Sequence, residues 1–494
     1  MRVLLVYPEF PDTYWSFKHA LAFEGKRSAF PPLGLLTISA MLPRKWERRL
    51  VDMNVEALKP EDIEWADYVF LSAMLVQKKS LEEVIRACAE RGVPAVVGGP
   101  FVSTNCDENF TADHIFIGEA EETLPVFLRD LEAGRPQKIY RATEKPALDS
   151  TPVPDFHLAK LDRYSAMSVQ YSRGCPFQCE FCDIIEIYGR VPRTKSAAQM
   201  TAELDALYRT GWRGTVFIVD DNFIGNKRNV KNFLPELAVW SERFGKPFNF
   251  MTEASVNLAE DDDLLEMMRK AGFNRVFLGI ETPVEASLKE THKLQNTHRN
   301  LLDSVKKIQS HGMEVMAGFI VGFDNDPEDI FERQIQFIRE SAIPLAMVGL
   351  LHALPDTQLW RRLEKEGRLL KESSGNNTDC SLNFIPQMDA KRLIEGYKRI
   401  LLTIYSSKEY YERALECLRR VKWEASGFRH VSFYREMTAF LRLVTTLGVF
   451  DRERAEFWRY VRRALKEHRD RFDQAMLLAA MGYHFRKLTE KYCR

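Results

Sequence analysis

The sequence has no excess of either charge: Lys+Arg and Asp+Glu are both 70. A dedicated nucleic-acid binder normally carries a strong basic excess, so that class is disfavoured. No run approaches the ~18 uninterrupted apolar residues of a membrane span. The opening Met1-Arg2-Val3-Leu4-Leu5-Val6-Tyr7 lacks the longer apolar core and small-residue cleavage site of a secretory signal. The expectation is therefore a cytoplasmic protein. No G-x-G-x-x-G is present, which removes the dinucleotide-binding fingerprint. Eight cysteines in 494 residues are too few and too uneven for a disulfide framework.

At this length roughly two to four domains are expected, and 45% hydrophobic with 28% charged residues is ordinary for a globular enzyme. Residues 1–140 alternate short apolar runs (Val3–Tyr7, Arg49–Asp52, Tyr68–Ser72, Ala95–Val97, His114–Ile117) with helical patterns near Leu33–Leu42, Leu81–Arg91 and Glu121–Leu131. Such alternation predicts an α/β, doubly wound parallel sheet with ligands beyond the strand carboxyl ends. Residues 141–165, with Pro146, Pro152 and Pro154, read as a linker. From 166 to 355 a second series begins, with strands expected at Ser168–Ser172, Thr215–Val219, Phe248–Thr252, Val276–Ile280, Val315–Ile320 and Ala346–Leu351. Six β/α units suit a partial barrel with chemistry at its strand C-termini. Residues 356–494 read as a helical C-terminal domain, through segments such as Lys391–Tyr405, Tyr410–Trp423 and Arg454–Arg469. Residues 411–494 carry 19 Lys+Arg against 11 Asp+Glu, a net charge of +8.

Three cysteines stand within eight residues, in Arg173-Gly174-Cys175-Pro176-Phe177-Gln178-Cys179-Glu180-Phe181-Cys182. A tight loop with this C-x3-C-x2-C spacing places three thiolates around one cuboidal cluster. Ordinary four-iron sites use four cysteines, so three leave one iron open, as substrate chemistry requires. A zinc knuckle would need a second pair or nearby histidines, and the next histidine is His292. Cys88, Cys106, Cys380, Cys417 and Cys493 read as isolated thiols.

This signature resembles the radical S-adenosylmethionine (SAM) superfamily, with Phe181 as the aromatic before the third cysteine. The resemblance implies a 4Fe-4S cluster on Cys175, Cys179 and Cys182 whose free iron chelates SAM, with Phe181 near the adenine. Later strand ends are similar to SAM-binding motifs of that superfamily. Asp221 and Asn222 follow the second strand, for the SAM amino group, and Glu253 follows the third. Gly279 and Glu281 end the fourth, against the ribose, and Gly318 lies on the fifth, against adenine. Acidic residues at strand ends also cap following helices, which is the bland alternative. Arg193 is a candidate for the SAM carboxylate.

The N-terminal domain resembles that of the cobalamin-binding radical SAM class, which implies cobalamin as a further cofactor. By that analogy Ser72, Gly98 and Gly99 line the cleft for the nucleotide tail, and Gly118 and Glu119 the neighbouring loop. The D-x-H-x-x-G that supplies a cobalt ligand is missing: the first loop holds Asp12-Thr13-Tyr14-Trp15, and His19 lies seven residues past Asp12. No protein histidine ligand to cobalt is expected, and His19 reads as a packing or surface residue. The tail resembles the region attached to a subgroup that includes hopanoid methylases. The implied function is a cobalamin-dependent methyltransferase acting on an unactivated sp3 carbon of a small-molecule or lipid substrate. The same resemblance implies a flavodoxin- or ferredoxin-type electron donor. The basic helix Arg454–Arg469, with its stripe Phe457, Trp458, Val461, Ala464 and Leu465, allows peripheral membrane contact. A cobalamin-containing cyclase or oxidase, a tRNA methylthiotransferase and a non-enzymatic cobalamin sensor are the alternatives. The methylthiotransferase would need a second three-cysteine set, and only Cys88 and Cys106 precede the cluster.

Overall fold

The structure, a computed structural model, describes residues 1–104, 110–371, 373–376, 378–422 and 433–493; Cys106 and Trp423 lie outside them. The apolar runs of the first 140 residues become β1 (Arg2–Tyr7), β2 (Glu47–Asp52), β3 (Tyr68–Ser72), β4 (Ala95–Gly98) and β5 (His114–Ile117), joined by a sixth strand, β6 (Ile139–Arg141). Their order is β2-β1-β3-β4-β5-β6, with every pairing parallel. In β1, Leu4 and Val6 enter one core and Val3 and Leu5 another on the opposite face. A strand buried on both faces reads as a continuous apolar run, which is why Val3–Val6 shows no polar alternation.

Residues 141–165 are more than a loose linker. Phe156 and Tyr164 are buried, the Tyr164 hydroxyl donates to Asp52 at 2.9 Å, and Asp155 pairs with Arg48 at 3.1 Å. Prolines suppress periodicity here without freeing the chain.

The expected strand at 168–172 is divided. β7 (Met167–Val169) stays in the large sheet, whereas β8 (Ser172–Arg173) pairs antiparallel with β9 (Arg193–Thr194). The physical cause is Asp220, whose carboxylate takes the Tyr171 and Ser172 backbone N–H groups, each at 2.8 Å. Beyond come β10 (Gly214–Ile218), β11 (Phe248–Ala254), β12 (Phe273–Glu281), β13 (Glu314–Val321) and β14 (Ala346–Leu350). With β7 they form a parallel sheet ordered β14-β13-β12-β11-β10-β7, the six-stranded partial barrel.

The C-terminal region is helical, with segments that include Ala390–Ile404, Ser407–Arg420, Phe433–Leu443, Arg454–Glu467 and Phe472–Cys493. The apolar stripe of Arg454–Glu467 turns inward: Phe457, Val461 and Ala464 are buried, leaving Trp458 and Leu465 outside. The last helix grips the first loop. Tyr14 stacks on Phe485 with centroids 5.3 Å apart and donates to the Val348 carbonyl of β14 at 3.0 Å. The Tyr492 hydroxyl donates to the Asp12 carbonyl and the Lys491 ammonium pairs with its carboxylate, both at 2.8 Å.

Candidate functional site

The three cysteines lie in the loop between β8 and β9. Gly174 opens it with φ +96°, and a Cβ there would fall 2.9 Å from the Gly189 carbonyl oxygen. Only glycine allows that approach. The Cys175 N–H donates to the same Gly189 carbonyl at 3.2 Å, and Cys182 N–H to Cys179 at 3.1 Å. Glu180 pins the loop from outside through an ion pair with Arg362 at 2.5 Å.

Two amides are aimed at the sulfurs. Gln295 Nε2 donates to Cys179 Sγ at 3.3 Å, and Asn222 Nδ2 lies 3.7 Å from Cys175 Sγ. Asn222 is itself oriented by the Ser255 N–H, 3.2 Å from its Oδ1. Burial pushes the Cys175 and Cys182 thiols up. Donors converging on these sulfurs suit metal-bound thiolates, whose charge they offset. Among the described residues no three His, Cys, Asp or Glu side chains share a single-ion site.

The strand ends beside this loop carry the acidic residues read from sequence, and they divide by role. Asp220 is fully buried and ties Tyr171 and Ser172, a structural task. Asp221 and Glu253 face a large cavity. Burial, reinforced by neighbouring carboxylates, raises Asp221 to about 7 and Glu253 to about 8. Glu281 adopts φ +64° and its carboxylate meets Lys293 Nζ at 2.6 Å. Burial alone would lower the lysine, but Glu281 and the cysteines beside it hold it above its ordinary value. Gly279 makes room for this pair: a Cβ would lie 2.5 Å from Glu281 Oε1 and 2.8 Å from Lys293 Nζ. Gly318 accommodates the Phe277 ring, 3.2 Å from its would-be Cβ. Phe181 rests 6.1 Å from the Phe323 ring, with Lys293 Nζ 5.9 Å from its own centroid.

A cavity of about 1350 Å³ lies between the carboxyl edges of the two sheets. Ser72, Gly98, Gly99 and Gly118 line it from the first sheet, and Asp221 and Glu253 from the barrel. Its volume exceeds the ~300–1,000 Å³ typical of a small-ligand pocket, so it is larger than one ordinary small ligand needs. Trp15, Phe30 and Phe217 give it an aromatic wall. At two of these glycines the missing Cβ also serves packing. A Cβ on Gly99 would meet Ser72 Oγ at 2.7 Å, and one on Gly118 would meet Ala142 Cβ at 2.8 Å.

Two charged residues here are engaged within the protein. Glu119 lines the cavity while its carboxylate holds Arg173 at 2.7 Å and Arg193 at 2.8 Å. Arg193, occupied in this way, is not available to the SAM carboxylate. His19 lines the cavity and packs against Tyr483 and His484. Sequence reasoning missed Lys293, Gln295, Arg173 and Arg362. None stands at a motif spacing, and each meets its partner only through the fold.

Residues 27–128 match the B12 binding domain family, 169–338 the radical SAM superfamily, and 357–494 a domain of unknown function (DUF4070). The chain is 44% identical over 99% of its length to the uncharacterised methyltransferase sll1242 of Synechocystis sp., covering 92% of that protein. It is 34% identical over 98% of its length to the hopanoid C-2 methylase of Rhodopseudomonas palustris, again covering 92%. In fold it is similar to OxsB, a cobalamin-dependent SAM radical enzyme solved with aqua-cobalamin and SAM, with TM-score 0.61, 17% identity, and coverage of 99% of this chain and 80% of that one.

Proposed function

The chain belongs to the cobalamin-binding radical SAM family, and on that premise we propose that it methylates an unactivated sp3 carbon of an apolar substrate. The observation that carries the reading is the single cavity shared by the two sheets. Its walls bring Ser72 and Gly98 of the cobalamin-type sheet and Asp221 and Glu253 of the barrel to one space. When bound, the cluster with SAM supplies a 5′-deoxyadenosyl radical and cobalamin supplies the methyl group.

The chain's own residues hold and orient. Cys175, Cys179 and Cys182 take the cluster, and Asn222 and Gln295 donate to the sulfurs. Asp221 and Glu253 offer acceptors to SAM, with Glu281 and its Lys293 counter-ion behind Gly279. Phe181 and Gly318 are assigned to the adenine side. Trp15, Phe30 and Phe217 orient an apolar substrate and exclude water, which keeps reacting groups in one geometry. Glu119 supports the site at a remove.

The hopanoid methylase among the relatives supports a lipid-like substrate. Peripheral membrane contact, expected from Arg454–Arg469, is better served by a neighbouring face. Leu441, Val449 and Phe450 are 56%, 54% and 79% exposed, next to Arg442 at the cavity lining. Apolar residues beside cations suit an anionic lipid surface. A cytoplasmic location and a flavodoxin- or ferredoxin-type donor complete the proposal.

The test is a reaction of reduced holo-enzyme with methyl-deuterated SAM and a polycyclic hydrocarbon acceptor. Expected products are 5′-deoxyadenosine, S-adenosylhomocysteine and an acceptor carrying the label. Consumption of acceptor with 5′-deoxyadenosine but no transferred label replaces this reading with a cyclase or oxidase.

A further inference from the structure

The cluster loop is the stretch between β8 and β9, residues 174–192, so those two short strands form its base. There Arg173 and Arg193 stand directly opposite one another. Like charges facing across an antiparallel ladder repel, and both side chains are largely buried, at 11% and 15% exposure. The counter-charge comes from the other sheet. Glu119, just past β5 and 2% exposed at its side chain, places Oε2 at 2.7 Å from Arg173 Nη1 and 3.0 Å from Arg193 Nη1. Its Oε1 accepts from Arg193 Nη2 at 2.8 Å.

Glu121 takes the other arm of Arg173 at 2.9 Å and is steadied by the Thr151 hydroxyl at 2.8 Å. The remaining donor nitrogens are also engaged, except Arg193 Nε, which is buried without a partner. Arg173 Nε donates to Gln170 at 2.8 Å, and Arg193 to the Pro146 and Tyr188 carbonyls at 2.5 and 3.1 Å. The residue before Glu119 is Gly118, which lines the cavity wall assigned to cobalamin. Glu119 thus bridges both arginines at the base of the cluster loop, with Glu121 supplying the second counter-charge, and joins that base to the wall.

We propose that Glu119 is a positioning residue for methyl transfer, clamping the cluster loop at a fixed distance from the cobalamin-side wall. This rests on the proposed methyl transfer. Glu119 acts through Arg173 and Arg193, and its removal leaves two guanidiniums facing each other with Glu121 alone between the sheets. The loop then shifts relative to the wall, and radical generation loses its register with methyl delivery.

The test uses Glu119→Gln holoenzyme carrying both cofactors. Iron and cobalamin content are measured first, then the electron paramagnetic resonance of the reduced cluster with SAM. Next, 5′-deoxyadenosine and methylated acceptor are quantified. Misplacement by about 1 Å costs on the order of 10²-fold in a positioned reaction, so methylated product should fall by that order. SAM cleavage, confined to the barrel side, should fall by less than about tenfold, so the ratio of 5′-deoxyadenosine to product rises. The SAM-bound cluster signal should change, and Glu119→Asp should recover part of the coupling. A wild-type ratio with an unchanged signal overturns the proposal, because a merely structural role would lower both products together. If Glu119→Gln does not fold or load, Arg193→Lys keeps the charge, gives up the bidentate contact and is read in the same two ways. A wild-type enzyme that cleaves SAM yet methylates nothing defeats the methyl-transfer reading, while the cluster signal still tests the clamp.

Discussion

Replacing Lys293 with methionine removes a cation and nearly preserves volume. Its ammonium lies 2.6 Å from Glu281 Oε1, with side-chain exposures of 11% and 9%. At that distance and an effective dielectric of about 20, the gross attraction is about 6 kcal/mol. The net loss is smaller, about 3–5 kcal/mol, because it is dominated by the carboxylate left buried and uncompensated. Glu281 has little freedom to escape: its backbone is at φ +64° and its carbonyl accepts from Gln334 at 3.2 Å. The lysine's folded-state pKa is raised. Its contribution is therefore complete below the ordinary lysine value and is lost only as pH climbs through the raised one. Neutral pH measures all of it. The assay is urea unfolding of Lys293→Met, Glu281→Gln and the double variant, following barrel tryptophan fluorescence. The single lysine variant should lose about 3–5 kcal/mol, and the double variant should recover most of that loss through a coupling term. A loss below about 1 kcal/mol, the range of an exposed pair, or a double variant no better than Lys293→Met, refutes the reasoning.

Changing Cys175, Cys179 and Cys182 together to alanine should abolish the visible absorption of anaerobically reconstituted protein, and about four irons per wild-type chain are expected. Glu253 and Asp221 have raised folded-state values of about 8 and about 7. The folded chain therefore holds more protons than the unfolded one between the ordinary carboxylate range and those values, and stability falls as pH rises through that window. Glu253→Gln should flatten the decline in urea midpoint between pH 5 and 8; an unchanged slope rejects the assignment. Asp221→Ala should weaken SAM binding by about 1.5–3 kcal/mol with iron content intact, measured by equilibrium dialysis. Phe450→Ser should reduce sedimentation with vesicles containing phosphatidylglycerol and leave SAM cleavage unchanged.

Much of the fold was legible because its signals are local. The buried run Val3–Val6 of β1 and the amphipathic helices announce themselves over a few residues, and the cysteine triad is a single loop. What was not legible depends on distant partners. Gln295 reaches Cys179 across 116 positions, and no spacing rule joins them. Asp220 breaks the expected 168–172 strand from 48 positions away. Glu119 reads as a ligand-loop residue by analogy with the cobalamin class, and its ion-pair partners lie 54 and 74 positions on. The helix Arg454–Glu467 was correctly periodic, yet periodicity does not say whether a stripe meets protein or lipid.

The grip of the last helix on the first loop imposes an order on biosynthesis. Asp12 and Tyr492 are hydrogen-bonded across 480 positions, and Tyr14 with His484 across 470. At ribosomal rates of about 5–20 residues per second, roughly 25–95 s separate their emergence. The first sheet can collapse early, but the Tyr14–Trp15 side of the cavity stays unsealed until the last helix arrives. The chamber therefore takes its finished shape only after Phe472–Cys493 has been made, hundreds of residues after the first sheet.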